Sequence, residues 1–176
     1  VIKYFLKNCP HQFKFYESDI CDMKQISKPF CDHRDIGFIM HFAALKSVSE
    51  SEKNFELYWK NNVEGTNNIL QSMKVANIKN IIFSSSASIY GEQEKQPINE
   101  NLKPNPISNY ALTKLESEKC IKKFASNDNI NAISLRYFNP LATHIDNIIF
   151  EDFRGSNNLI SKILQAATKR IEYLEI

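Results

Sequence analysis

Two hydrophobic periods alternate along the chain. The segment FKFYESDI (Phe13–Ile20) alternates apolar and polar residues and ends on an acid, which predicts a strand carrying Asp19 at its carboxyl end. IGFIMHFAA (Ile36–Ala44) is a continuous apolar run, the pattern of a strand buried on both faces of a parallel sheet. Between them the pattern predicts a helix interrupted at Pro29. Val63, Leu70, Met73 and Ala76 then recur at helical spacing, and IIFSSS (Ile81–Ser86) follows as another buried strand. From Tyr110 to about Ser126 a helix carries Ala111, Leu115, Ile121 and Phe124 on one broad apolar side, and NAISLRYFN (Asn131–Asn139) resumes the strand pattern. An amphipathic helix over Asn158–Lys169 and a last strand in EYLEI (Glu172–Ile176) complete the reading.

Strand, helix and strand repeated at these intervals predict an α/β fold: a doubly wound parallel sheet, Rossmann-like, with right-handed crossovers and at least four parallel strands. Ligands of such sheets bind outside the carboxyl ends of the strands. Asp19, HFAALK (His41–Lys46), SSSASIYG (Ser84–Gly91) and RYFNP (Arg136–Pro140) are therefore expected along one edge. His41 reads as a packed strand residue.

Composition narrows the classes. At 176 residues and 43% apolar content the chain has the size and core of one domain. Its 22 basic and 20 acidic residues are spread evenly, so neither a nucleic-acid stripe nor a membrane-surface patch is indicated, and a small molecule is the expected partner. No apolar run approaches the ~20 residues needed to span a bilayer. Cys9, Cys21, Cys31 and Cys120 form no CxxC pair and stand at no zinc spacing from a histidine, so no metal site is expected. Free thiols suit a reducing, cytoplasmic setting. The opening VIKYFLKN reads as the end of an element already under way, and further sequence upstream is expected.

In SNYALTK (Ser108–Lys114), Tyr110 and Lys114 stand four residues apart at the opening of a helix, where they share one face. Alone, the pair also fits a packing tyrosine and a surface lysine paired with Glu118, a contact worth only a few tenths of a kcal/mol. Company changes its weight. The ordered runs HFAALKSVSES, NNVEGT, FSSSASIYG, SNYALTK, LRYFNP and, more weakly, FEDFRGSNNL together resemble the extended short-chain dehydrogenase/reductase family, and within it the UDP-glucose 4-epimerases.

The resemblance implies NAD held by a Rossmann half (residues 1–140, incomplete at its N-terminal side) and a UDP-sugar held by a smaller region beginning at 141–176. It further implies a homodimer at full length, and interconversion of UDP-glucose and UDP-galactose, a reaction of galactose metabolism, by transient oxidation at C4 and return of the hydride. On the family's mechanism Tyr110 would be the base, Lys114 its electrostatic activator and Ser86 the hydrogen-bonding hydroxyl. A unit charge at ~4 Å in an effective dielectric of ~20 is worth about 4 kcal/mol, roughly three pKa units on the phenol. By the same residue match, Asp19 and Ile20 would approach the adenine, Phe42, Ala43, Ala44, Leu45 and Lys46 would line the cofactor with Asn61, and Phe138 would lie on the nicotinamide side. Asn139, Asn158 and Leu159 would touch the nucleotide sugar.

The related dehydratases carry an Asp–Glu pair after the corresponding hydroxyl residue. Here Ala87 and Ser88 follow Ser86, so dehydration lacks its acid and base. Two departures weigh the other way. The glycines are Gly37, Gly65, Gly91 and Gly155, so no GxGxxG turn is present to cradle a pyrophosphate. Phe150 also stands where the family usually has glycine. The resemblance leaves three readings: a piece of a UDP-glucose/UDP-galactose epimerase, an epimerase of another UDP-sugar, or a catalytically inactive epimerase remnant acting as a binding or interaction module.

Overall fold

The computed structural model describes residues 2–9, 13–140 and 159–174. Two compact units divide the chain, Tyr16–Phe138 and a second formed by Val1–Phe15 with Asn139–Ile176. The second unit opens with α1 (Ile2–Asn8). Tyr16–Phe138 then runs through α2 (Met23–Asp32), β1 (Ile39–His41), the single turns α3 (Val48–Ser51) and α4 (Phe55–Tyr58), α5 (Gly65–Val75), β2 (Asn80–Ser86), α6 (Asn109–Asp128) and β3 (Asn131–Tyr137). α7 (Leu159–Ala167) belongs to the second unit.

Among the described residues the sheet has three strands in the order β1-β2-β3, all parallel. Met40, Ile82 and Ile133 share one register, and Ile39, Ile81 and Ala132 the next, so the two sets point to opposite faces. From the second set Ile81, with Phe83 two residues on and Ile39 partly buried at the rim, meets Phe30 of α2, Ile69, Leu70 and Met73 of α5 and Ile121 of α6 to form the core. Burying a side chain such as Leu70 or Phe83 is worth about 1.5–3 kcal/mol. Met40, Ile133, Leu135 and Tyr137 remain exposed on the other face.

Local chemistry sets the element ends. Asp22 caps α2 by accepting from the backbone of Lys24 and Gln25, and Ser108 caps α6 by accepting from Ala111. α6 stops where Asn129 takes the left-handed conformation, φ 52°, which asparagine tolerates. Gly91 ends the turn after β2 at φ +65°, and a Cβ there would lie 2.2 Å from the Asn105 carbonyl oxygen, so only glycine fits.

Three expectations are corrected. Phe13–Asp19 forms no strand: no neighbouring strand among the described residues takes up its backbone groups. Asp19 instead turns the chain, its carboxylate accepting from the Cys21 N–H at 2.8 Å and its carbonyl from the Asp22 N–H at 3.0 Å. Glu172–Leu174 likewise lies outside any strand, and residues 175–176 are outside the described set, so the described residues hold three parallel strands where at least four were expected. Pro29 does not interrupt α2; it sits near the helix end, where its carbonyl still accepts from His33. The helix before β2 also carries an unforeseen feature, a π-helical stretch over Trp59–Glu64.

Candidate active site

Ser86 is the last residue of β2, Phe42–Lys46 leave the end of β1, and Phe138 follows β3, so the parallel strands bring these residues to one edge. Asp19 and Ile20 reach the same unit without a strand. The Ile20 carbonyl accepts from Asn68 Nδ2 at 2.9 Å, and Ile20 packs where Gly65 has no side chain, since a Cβ there would lie 2.7 Å from Ile20 Cδ1. Asn61 Nδ2 donates to Cys21 Sγ at 3.8 Å, one residue beyond Ile20.

Tyr110, in the first turn of α6, is half-buried, and Lys114 one turn later is 4% exposed. Lys114 Nζ donates to the Ser84 carbonyl at 2.8 Å, lies 4.9 Å from the Phe83 ring centroid and 5.9 Å from that of Tyr110. Burial pulls its ammonium down to about 8. Burial pushes the Tyr110 phenol above its ordinary value, and the hydrogen-bonding Ser86 side chain draws it back. The Ser86 hydroxyl in turn accepts from the Ser88 N–H at 3.2 Å and the Ser88 hydroxyl at 2.9 Å.

In this arrangement burial outweighs the depression of the Tyr110 pKa expected from Lys114. The ammonium is bonded to a carbonyl rather than to the phenol, and desolvation dominates both groups. What the geometry does supply is a phenol, a hydroxyl and a buried cation around the carboxyl end of β2. His41 lies beneath them, 3% exposed, its Nε2 2.9 Å from Thr66 Oγ1, as a packed strand residue should. Burial, and then the Lys114 charge, hold its imidazole down at about 4.

Sequence reasoning missed Asn62. Its side chain is 2% exposed; Oδ1 accepts from the Leu45 N–H at 2.8 Å while Nδ2 donates to the Leu45 carbonyl at 3.0 Å and to Thr113 Oγ1 at 3.0 Å. Its own carbonyl accepts from Ser117 Oγ at 2.9 Å and from Thr66 Oγ1. One asparagine thus ties the loop after β1, the π-helical stretch and α6 together. The only local signal was the Asn61–Asn62 doublet, which falls in the middle of the continuous helical run 55–75, where asparagine competes for backbone hydrogen bonds and is a poor helix former.

Phe42 and Phe138 are 55% and 64% exposed, large apolar surfaces left open at the site edge, and Lys46 is exposed as well. Ala43 is exposed and Ala44 and Leu45 are half-buried. Asn139 and Leu159 belong to the second unit, and Asn158 lies outside the described residues. Arg136 is structural, held by Glu118 in a two-pronged ion pair (3.0 and 2.8 Å) and donating to the Tyr90 hydroxyl at 2.7 Å. No group of metal ligands and no helix long and apolar enough to cross a membrane occur among the described residues.

A parallel α/β sheet with a Tyr–Lys pair and a serine at a strand end defines a class of nucleotide-cofactor enzymes, and the comparisons make the class specific. Residues 4–175 match the NAD dependent epimerase/dehydratase family, and the chain belongs to it. The UDP-glucose 4-epimerase of Yersinia enterocolitica is 40% identical over 172 residues, covering 96% of this chain and 51% of its own length. That of Lactobacillus helveticus is 42% identical over 154 residues, covering 88% and 46%. Among solved structures, the UDP-glucose 4-epimerase of Brucella ovis in complex with NAD superposes with a TM-score of 0.86 at 32% identity, over 94% of this chain and 51% of that one. The enzyme of Stenotrophomonas maltophila with bound NAD and formylated UDP-arabinopyranose gives 0.89 at 31% identity, over 98% and 52%. The chain thus spans about half the length of the curated relatives it matches.

Proposed function

We propose that the protein carrying this chain is a UDP-glucose/UDP-galactose 4-epimerase that uses NAD. The observation that carries the reading is the convergence of Tyr110, Ser86 and the buried Lys114 around the end of β2. NAD, when bound, would supply the hydride acceptor and donor that the reaction at C4 needs, and a positive charge that would favour the phenolate. Open aromatic surface at Phe42 and Phe138 suits a flat heterocycle, while Asp19, Ile20, Asn61 and the Phe42–Lys46 loop are the residues for the rest of the cofactor. No GxGxxG turn of the kind that cradles a pyrophosphate is present in these 176 residues. Residues 1–140 act as part of the NAD-binding region and 141–176 begin the nucleotide-sugar region, with Asn139, Asn158 and Leu159 on the sugar side. The whole protein works as a cytoplasmic homodimer.

Tyr110 takes the proton of the 4-hydroxyl, the step for which a phenol needs help at neutral pH. Ser86 hydrogen-bonds the same oxygen and keeps the phenol within reach of it. Lys114 holds a positive charge beside the site at neutral pH, since a pKa of about 8 leaves it mostly protonated. Ala87 and Ser88 offer no carboxyl pair, which favours epimerisation over dehydration. Tyr110→Phe in the protein at its natural length should lower conversion of UDP-galactose to UDP-glucose by about 100-fold or more while NAD remains bound. Full turnover in that variant would reject the reading.

A further inference from the structure

The first turn of α6, which carries Tyr110, is not held by its cap alone. Ser108 satisfies the Ala111 N–H at 3.1 Å, but the N–H groups of Asn109 and Tyr110 point at a segment nearly sixty residues upstream. Tyr110 N–H donates to Ser51 Oγ at 3.0 Å and Asn109 N–H to Glu52 Oε1 at 2.8 Å, while Asn109 Nδ2 donates to the Ser51 carbonyl at 3.1 Å. Ser51 is fully buried, and its hydroxyl proton is committed to the Val48 carbonyl at 2.6 Å, which leaves the oxygen to accept from Tyr110. Its single-turn helix is itself fixed: Ser47 caps it by accepting from Glu50, the Ser47 N–H donates to the Tyr58 hydroxyl at 3.1 Å, and that hydroxyl donates to Glu50 Oε2 at 2.9 Å. Ser47 directly follows the Phe42–Lys46 loop.

We infer that Ser51, supported by Glu52, is a positioning residue that fixes the backbone of Tyr110 to the loop leaving β1, so that the proton-transferring phenol and the Phe42–Lys46 loop are placed as one body. The inference rests on the function proposed above. A helix start free to rotate carries the phenol away from Ser86, and about 1 Å of misplacement can cost about 100-fold in rate. Separation from Ser86 also removes the hydrogen bond that favours the phenolate.

The test compares Ser51→Ala, Glu52→Leu, Glu52→Gln and Tyr110→Phe in the NAD-loaded protein at its natural length, with UDP-galactose as substrate. Ser51→Ala should lower kcat by about 100-fold and Glu52→Leu by about 10-fold, while Glu52→Gln, which keeps an acceptor oxygen, recovers most of the rate. KM and NAD content should stay within about twofold of the parent, and the acid limb of the kcat profile should move to higher pH. Glu52 is exposed, so its variants keep the test decisive if Ser51→Ala fails to fold. An unchanged kcat and pH profile in Glu52→Leu and Ser51→Ala overturns the inference, as does a parallel loss of NAD, KM and kcat, which marks a merely structural role. If those variants are silent while Tyr110→Phe is inactive, only the positioning role falls; if Tyr110→Phe is fully active, the base assignment falls with it.

Discussion

Lys114 should destabilise the fold it serves. Burial lowers its ammonium from 10.5 to about 8, and at about 1.36 kcal/mol per unit this places about 3 kcal/mol against the folded state wherever the folded chain keeps the charge. Between pH 8 and 10.5 the unfolded chain binds the proton that the folded chain has released, so stability rises with pH across that window. Lys114→Met removes the titration. Its absolute gain at pH 7 is smaller than 3 kcal/mol, because the bond to the Ser84 carbonyl and the contact with the Phe83 ring are lost too, the former worth about 1.5–3 kcal/mol. The swing between variant and parent does not depend on those contacts. Urea unfolding of both proteins at half-unit steps from pH 7.5 to 10.5 should show the variant's advantage shrinking by about 3 kcal/mol as pH rises. A difference constant to within about 1 kcal/mol over that range refutes the reasoning.

Other expectations follow from the same contacts. His41 is neutral when folded and holds at about 4 against an ordinary 6.5, so stability should be fully present above pH 6.5 and fall by about 3 kcal/mol as pH drops through 4, a loss that a His41→Gln comparison by guanidinium unfolding should not show. Gly91→Ala forces both a left-handed backbone and a collision with the Asn105 carbonyl, and should lower stability by about 2 kcal/mol or more in thermal unfolding. The 176-residue chain by itself, lacking a glycine-rich phosphate turn, should give no micromolar NAD affinity by calorimetry, since each missing charge-assisted hydrogen bond is worth about 1.5–3 kcal/mol.

The strands flanked on a side by another strand were legible in the sequence. Ile81–Ser86 and Asn131–Tyr137 appear where their apolar runs put them, because β2 pairs on both sides and β3 lies along its full length. The alternating run Phe13–Asp19 was misread because alternation states a preference that only a pairing partner converts into a strand. At the site, Tyr110, Lys114 and Ser86 were legible as motif residues, and their convergence follows from the parallel topology. Asn62 and Ser51 were not. Their roles come from hydrogen bonds to Leu45 and Tyr110, partners 17 and 59 residues away, a separation no local period encodes.

What sets this region apart energetically is that its polar groups are buried at a loss. Lys114 gives up hydration for the hydrogen bond from Nζ to the Ser84 carbonyl, and His41 Nδ1 and Ser85 Oγ are buried without a hydrogen-bond partner among the described residues. His41 pairs in register with Phe83, whose ring centroid stands 5.3 Å from the imidazole and 4.9 Å from Lys114 Nζ; Ser85 lies two residues along the same strand. The other buried polar groups of the unit, such as Asn62, Ser51 and Ser117, are hydrogen-bonded, and the cluster around Leu70 and Met73 is apolar. A fold selected for stability alone would fill the Phe83 neighbourhood with apolar side chains, which is why replacing Lys114 is expected to relieve the cost measured by its depressed pKa. The cost sits beside Tyr110, the phenol whose backbone N–H a buried serine accepts, which is where the proposed proton transfer would use a charged and a polar group.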